Sequence, residues 1–204
     1  MGRKLEFFYD YVSVYSYLAD SQIEALVDAD VVYRPMLLGA VLQATGNRPP
    51  GTVEAKRRYL HSDIANWARR YALPLTMNPL FPQNTLNALR LALLAQREGA
   101  FPEVHRALFD AMWVEQRNLG DDSVLATIAG EAGLDPVASM QGIAEQSIKD
   151  RLKSNTDEAI ARGAFGAPTF FIGDRMFFGN DRFDFIREAI RPSICGRDPM
   201  TVAD

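Results

Sequence analysis

The spacing of apolar residues divides the chain into a βαβ unit, a long helical stretch and a ββα unit. Leu5–Tyr9 is short and rich in aromatic residues, and it leads directly towards Ser13, as a buried strand followed by a helix start does. From 15 to 26, apolar residues recur at spacings of three or four, which predicts a helix ending near residues 28–30. Val31–Pro35 is β-branched and closed by proline, which predicts the second strand.

A cluster of turn residues at 44–51 separates this unit from a stretch that has no strand pattern. Apolar spacing and capping residues predict a series of helices there. The first covers 53–71 and the second begins after Asn84. Two more carry Leu108 and Ile128, another begins at Asp135-Pro136, and the last covers 148–161. After Pro168 the spacing of apolar residues is no longer helical. The turn pair Gly173-Asp174 separates Thr169–Ile172 from Arg175–Phe178, which predicts a β-hairpin. Phe183–Ile190 predicts a closing helix.

This order of elements predicts an α/β protein with a thioredoxin-like fold (βαβ…ββα) that is interrupted by a large all-helical insertion. We assign residues 1–45 and 160–191 to a discontinuous thioredoxin-like domain and residues 46–159 to the helical insertion domain. Residues 192–204 have no periodicity and are expected to form a tail.

Composition and charge narrow the possible functions. A chain of 204 residues that is 48% hydrophobic can bury a full core. Its net charge of −4 has the wrong sign for nucleic-acid binding, and its two histidines lie outside metal-binding spacings, so no metal is expected. No apolar run approaches the roughly 20 residues of a membrane helix, and acidic residues stand where a signal peptide would be apolar. We therefore expect a cytoplasmic protein without a membrane partner.

The cysteine content decides which redox chemistry is available. Cys195 is the one cysteine, which excludes an internal disulfide and any Cys-x-x-Cys chemistry. Segment 7–17 together with Gly166–Phe171 nevertheless resembles a thioredoxin active site in which Ser13 and Ser16 replace the two cysteines. The catalytic thiol must then come from another molecule.

Ser13 admits three interpretations. A serine between a strand and a helix most commonly caps the helix. A serine nucleophile is disfavoured, because there is no G-x-S-x-G elbow and no recognisable triad histidine. Its hydroxyl could also donate a hydrogen bond to a bound thiolate, whose charge a helix N-terminus stabilises. Pro168 is a candidate cis-proline, although few X-Pro bonds are cis, and such a loop would expose the backbone of Ala167 to an extended peptide.

Several motifs occur in a characteristic order up to about Arg191: Phe8-Tyr9-Asp10 with Ser13-x-x-Ser16-Tyr17, Gly46–Gly51, Lys56–Leu60, Phe165–Phe170 and Phe178–Arg182. Together they resemble the 2-hydroxychromene-2-carboxylate isomerase and kappa-class glutathione transferase family. The resemblance implies that glutathione is the cofactor and supplies the thiol, and that Ser13 holds its sulfur.

The resemblance also implies a set of glutathione-binding residues: Asn47 and Lys56 from the insertion side, the Ala167 backbone beside Pro168 for the cysteinyl amide, and Asn180 and Asp181 for the γ-glutamyl end. Each has a plainer alternative. Asn47 could be a turn residue that tolerates left-handed geometry, and Lys56 a surface residue. The pair Asn180-Asp181 could be a helix cap.

The function implied by the resemblance is a glutathione-dependent isomerase of 2-hydroxychromene-2-carboxylate-type aromatic catabolites, acting as a homodimer. A kappa-type transferase or peroxidase that consumes glutathione needs the same thiolate site, and a non-catalytic glutathione-binding module stays open as well. Val14 and Ala167 depart from the proline and the larger aliphatic residue usual in the family. Tyr15, Phe81 and Trp113 are candidates for a wall that binds the aromatic substrate, and the plainer alternative is that they are core residues.

Overall fold

The computed structural model describes residues 2–26 and 28–191, which contain a four-stranded sheet with helices packed on both faces. The strands are Arg3–Tyr9 (β1), Ala29–Pro35 (β2), Thr169–Ile172 (β3) and Arg175–Phe178 (β4). Their order in the sheet is β2-β1-β3-β4; β2 runs parallel to β1, and β3 and β4 are antiparallel to their neighbours. The predicted thioredoxin-like fold is confirmed. The predicted tail, with Cys195, lies outside the described residues.

The helical block predicted before the hairpin is also confirmed. The α-helices of the described residues are Val14–Asp20 (α1), Leu38–Thr45 (α2), Glu54–Arg70 (α3), Leu86–Glu98 (α4), Phe101–Trp113 (α5), Asp122–Glu131 (α6), Pro136–Gly142 (α7), Gln146–Ala161 (α8) and Phe183–Ile190 (α9). Within residues 2–26 and 28–191, no helix combines the length and the apolar character needed to cross a membrane.

Two helical segments differ from the sequence-based prediction. The helix predicted to end near residues 28–30 ends at Asp20, and Ile23–Ala25 forms a separate turn of 3-10 helix. Ile23 and Leu26 are nevertheless buried, so the apolar spacing correctly indicates burial without indicating a continuous helix. Helix α2 is not predicted, because this short element buries only Val41 and therefore has little amphipathic pattern.

Strand β1 is buried on both faces, which explains its nearly continuous aromatic run. Phe7 belongs to a large core shared with insertion helices, and its ring stacks on Phe170 with centroids 4.9 Å apart. Phe8 faces a smaller core on the other side of the sheet and meets Phe171 edge-on at 5.5 Å. Because the large core is continuous across the proposed domain boundary, the division into two domains stays a prediction.

A charged cluster surrounds Glu6, a residue of β1 that is 7% exposed. Arg162 donates to Glu6 at 2.8 Å and to Glu158 at 3.1 Å, and its guanidinium lies 3.8 Å from the Phe171 ring centroid. Lys4 donates to Glu6 at 2.9 Å. Burial raises the pKa of Glu6, but the hydrogen bonds and positive charges of Lys4 and Arg162 outweigh it, so the pKa lies below its ordinary value of 4.5.

Replacing Glu6 with glutamine should lower the free energy of unfolding at neutral pH by about 1–3 kcal/mol, because Arg162 and Lys4 lose their carboxylate partner. Since the folded pKa is depressed, the stabilisation is present above about pH 4.5 and is lost as the pH falls through the folded pKa. Urea unfolding of both proteins from neutral to acidic pH measures this difference. Glu158→Gln, at a carboxylate that is 37% exposed, is the control and should cost less. Equal costs at every pH would contradict the prediction.

Candidate functional site

The contact between Ser13 and Ala167 brings the two predicted active-site segments together. Ser13 lies in the turn between β1 and α1, where its N–H donates to the Asp10 carbonyl at 3.0 Å. Its Oγ accepts from the Ser16 N–H at 3.2 Å, which confirms the capping interpretation. The same hydroxyl donates to the Ala167 carbonyl at 3.0 Å. Ser13 therefore caps α1 and faces the proline loop at the same time.

The proline loop has the geometry that the sequence suggests, since the Ala167–Pro168 peptide bond is cis. The Pro168 carbonyl accepts from the Gly179 N–H at 3.1 Å, which joins the loop to the turn after β4. The Ala167 carbonyl is occupied by Ser13, whereas the Ala167 N–H has no acceptor in the part of the chain that the structure describes. A free main-chain donor at this place can pair with the carbonyl of an extended peptide.

Asn47 contacts the proline loop from the side of the insertion. Its Nδ2 donates to the Phe165 carbonyl at 2.8 Å, and its Oδ1 accepts from the Arg48 N–H at 2.8 Å. The left-handed residue of this turn is Gly46, with φ of 67°, which ends α2. The alternative that Asn47 is present for left-handed geometry is therefore wrong, because its side chain joins α2 to the loop that precedes Pro168.

The turn between β4 and α9 carries Asn180 and Asp181. Asn180 is 4% exposed, and its Nδ2 has no hydrogen-bond acceptor among the described residues. Asp181 is exposed and forms an ion pair with Arg182 at 3.1 Å. Arg182 occupies the N-cap position of α9, and no side chain caps this helix. The alternative that Asn180-Asp181 caps a helix is wrong, so neither side chain is explained by helix formation.

Helix α3 lies along both the start of α1 and this turn. Tyr15 Oη donates to Asp63 Oδ2 at 2.7 Å, and Tyr71 Oη donates to the Asn180 carbonyl at 3.0 Å. Lys56 is exposed and lies about two helical turns before Asp63 on the same face of α3. The structure thus places Lys56 on the helix that borders the site, without a contact to Ser13 or to the proline loop.

The electrostatic environment keeps the Tyr15 hydroxyl protonated at neutral pH. Burial raises the pKa of Tyr15, and the hydrogen bond to Asp63 raises it further. The negative charges of Asp63 and Asp181 act in the same direction. This edge of the site therefore carries two carboxylates and a neutral phenol.

Asp10 anchors the loop that presents Ser13. It is 1% exposed and accepts from Thr85 Oγ1 at 2.6 Å, from the Leu38 N–H at 2.9 Å and from the Val12 N–H at 3.1 Å. Burial raises the pKa of Asp10, although these hydrogen bonds lower it in part. One carboxyl group thus joins the Ser13 loop to the starts of α2 and α4. The signal in the sequence is an acidic residue at the end of a buried aromatic strand.

A second buried network supports the same loop and is missed by the search for histidine motifs. His105 contacts the Tyr11 hydroxyl through Nδ1 at 2.9 Å and Asp20 through Nε2 at 3.0 Å. Trp113 Nε1 donates to the Tyr11 carbonyl at 2.9 Å and is fully buried. The interpretation of Trp113 as a core residue is therefore confirmed, and its interpretation as a wall for an aromatic substrate is wrong. Phe81, which packs on Trp113, is 47% exposed and stays a candidate.

Comparisons with known proteins agree with this architecture. Residues 4–191 match the family described as the DSBA-like thioredoxin domain. A 2-hydroxychromene-2-carboxylate isomerase of Pseudomonas putida is 30% identical over 94% of this chain and 95% of its own. Glutathione S-transferase kappa 1 of Caenorhabditis elegans is 26% identical over 92% of this chain and 91% of its own. A solved structure of 2-hydroxychromene-2-carboxylate isomerase, 27% identical, matches 91% of this chain and 93% of its own with a TM-score of 0.83.

Proposed function

The chain belongs to the DSBA-like thioredoxin domain family, and we propose that within it the protein is a glutathione-dependent isomerase of 2-hydroxychromene-2-carboxylate-type aromatic compounds. One contact carries the proposal: the Ser13 hydroxyl lies 3.0 Å from the Ala167 carbonyl in a site that has serines where a thioredoxin has cysteines. The similarity to an isomerase over nearly the whole of both chains supports the reaction class.

The polar groups at the site fit glutathione. The tripeptide offers two amide groups, two carboxylates and an ammonium group. The free Ala167 N–H matches a peptide carbonyl, the unpaired Asn180 Nδ2 matches a carboxylate oxygen, and the Asp181 carboxylate matches the γ-glutamyl ammonium. Asn47 and Lys56 would contact the tripeptide from the side of the insertion, where Lys56 has the charge that the second carboxylate requires.

Ser13 has one hydroxyl proton, and in this structure it is donated to the Ala167 carbonyl. Rotation of the hydroxyl would direct that proton to the ligand sulfur and leave the Ala167 carbonyl free for the cysteinyl N–H. The N–H groups of Val14 and Tyr15, at the start of α1, have no acceptor within the described ranges and favour the same negative charge. Lowering a thiol pKa of about 8.5 by about two units requires roughly 2.7 kcal/mol.

When bound, glutathione would supply a thiolate for reversible addition to the conjugated double bond of the substrate, which would become a single bond free to rotate until elimination breaks the C–S bond and returns the thiolate. The task of this chain is therefore to hold the sulfur deprotonated and to position the rest of the tripeptide. A kappa-type transferase or peroxidase needs the same site, and the 26% identity to a kappa-class transferase keeps it as the second candidate. The homodimer stays a prediction.

Millimolar glutathione should raise the melting temperature, because a ligand at a hundredfold excess over its dissociation constant adds about 2.7 kcal/mol to the folded state. Thermal melting with and without glutathione measures this shift. Turnover is then assayed with 2-hydroxychromene-2-carboxylate and with a chlorinated nitroarene. Isomerisation without loss of glutathione supports the proposal, and consumption of glutathione with the nitroarene alone supports the transferase. Binding without either reaction indicates a non-catalytic module, and no melting shift refutes glutathione dependence.

Asp181→Asn should raise the dissociation constant of glutathione by about tenfold, because the change removes the counter-charge of the γ-glutamyl ammonium. Calorimetric titration measures the change. Asp184→Asn removes the same charge from the exposed first turn of α9 and is the matched control. If both variants weaken binding equally, the effect comes from net charge and the assignment of Asp181 is wrong.

Ser13→Ala should slow turnover more than it weakens glutathione binding, because the hydroxyl acts on the sulfur and other residues hold the tripeptide. The lost cap should cost about 1 kcal/mol of stability. The ultraviolet absorbance of bound thiolate, titrated against pH, should show a higher thiol pKa than in the wild type. Ser16→Ala is the control, because Ser16 Oγ is buried and without a hydrogen-bond partner among the described residues. An unchanged thiol pKa in Ser13→Ala would show that the main-chain N–H groups, and not Ser13, stabilise the thiolate.

A further inference from the structure

The turn that carries Asn180 and Asp181 is held by few hydrogen bonds. On one side, the Gly179 N–H donates to the Pro168 carbonyl at 3.1 Å. On the other side, Tyr71 Oη donates to the Asn180 carbonyl at 3.0 Å, and this is the one hydrogen bond of Asn180 within residues 2–26 and 28–191. The turn is therefore attached to the proline loop through its first residue and to the helical insertion through its second.

The backbone of this turn leaves little room for adjustment. Gly179 has a φ of 105°, a conformation that residues with a side chain rarely adopt. A Cβ at this position would lie 2.7 Å from Asp181 Oδ1, so the carboxylate packs closely over the glycine. A contact that fixes the Asn180 carbonyl consequently also restricts the position of the Asp181 side chain, because the two residues share this tightly packed turn.

Tyr71 is well placed to supply such a contact. It occupies the C-cap of α3, where its own N–H donates to the Trp67 carbonyl at 2.9 Å, and its ring lies 5.3 Å from the Trp67 ring. Burial raises the pKa of Tyr71, so the hydroxyl remains a donor at neutral pH. Helix and ring packing thus fix the hydroxyl before any ligand binds.

We propose that Tyr71 is a positioning residue of the glutathione site, because its hydroxyl holds the Asn180 carbonyl and with it the turn that presents Asn180 and Asp181. The inference rests on the proposed function, and it gives the helical insertion an indirect part in binding the γ-glutamyl end. Removing the hydroxyl should therefore weaken glutathione binding while leaving the thiolate end, at Ser13, unchanged.

Tyr71→Phe keeps the ring and removes only the hydroxyl. Calorimetric titration with glutathione should give a dissociation constant about fivefold to tenfold higher than that of the wild type. At saturating glutathione, turnover and the thiol pKa of the bound ligand should be unchanged. Hydrogen exchange of residues 179–182 in the protein without ligand should become faster, because the turn loses one of its two attachments.

Tyr33→Phe is the matched control, since Tyr33 lies on β2, away from the turn at 179–182, and its hydroxyl forms no hydrogen bond among the described residues. It should leave the dissociation constant within about twofold of the wild type and the exchange of residues 179–182 unchanged. Faster exchange or a lower melting temperature in Tyr71→Phe with unchanged affinity would overturn the inference and leave the proposed function intact. Absence of glutathione binding by the wild type would overturn both.

Discussion

The antiparallel pairing of β1 with β3 is the constraint on which the rest of the site depends. It sets Phe7 opposite Phe170, and the two rings stack at 4.9 Å. Ser13 follows the end of β1 by four residues and Ala167 precedes β3 by two, so this register determines whether the two groups meet. A slip of one residue would turn every side chain of β1 to the opposite face of the sheet. Packing in both cores therefore maintains the geometry of a site that lies at their edge.

The sequence predicts the elements whose burial pattern and local signals agree. Strands Thr169–Ile172 and Arg175–Phe178 are found as predicted, because a turn pair separates two short runs of strand-forming residues. The sequence does not predict the end of α1 at Asp20, because buried positions continue with helical spacing beyond that residue. There the Ser21 hydroxyl donates to the Leu18 carbonyl at 2.8 Å, a local bond that competes with helix continuation. Helix α2 is not predicted from the sequence, because tertiary contacts stabilise it and its residues do not form an amphipathic pattern.

The site is predictable from sequence only in part. The resemblance correctly selects segments that the fold brings together, since Asn47 contacts the loop before Pro168 and the turn at Asn180 contacts the same loop through Gly179. Tyr71 leaves no signal, because its partner lies 109 residues further along the chain and the contact arises only when α3 packs against the turn. A single sequence shows which residues are present. A contact such as that between Tyr71 and Asn180 depends on how the insertion packs, which the sequence does not show.

The two serines that replace the cysteine positions differ in environment, and this difference bears on the chemistry. Ser13 Oγ both accepts and donates a hydrogen bond at the mouth of the site. Ser16 is fully buried, and its Oγ has no partner in the described part of the chain. A disulfide exchange site needs two sulfurs, one to attack and one to resolve the mixed disulfide. A site that takes its thiol from a ligand needs one donor for the bound sulfur and no resolving group. The Ser13 hydroxyl, which can donate a hydrogen bond at the site, and the buried Ser16 hydroxyl, which takes no part in it, agree with the proposed use of glutathione.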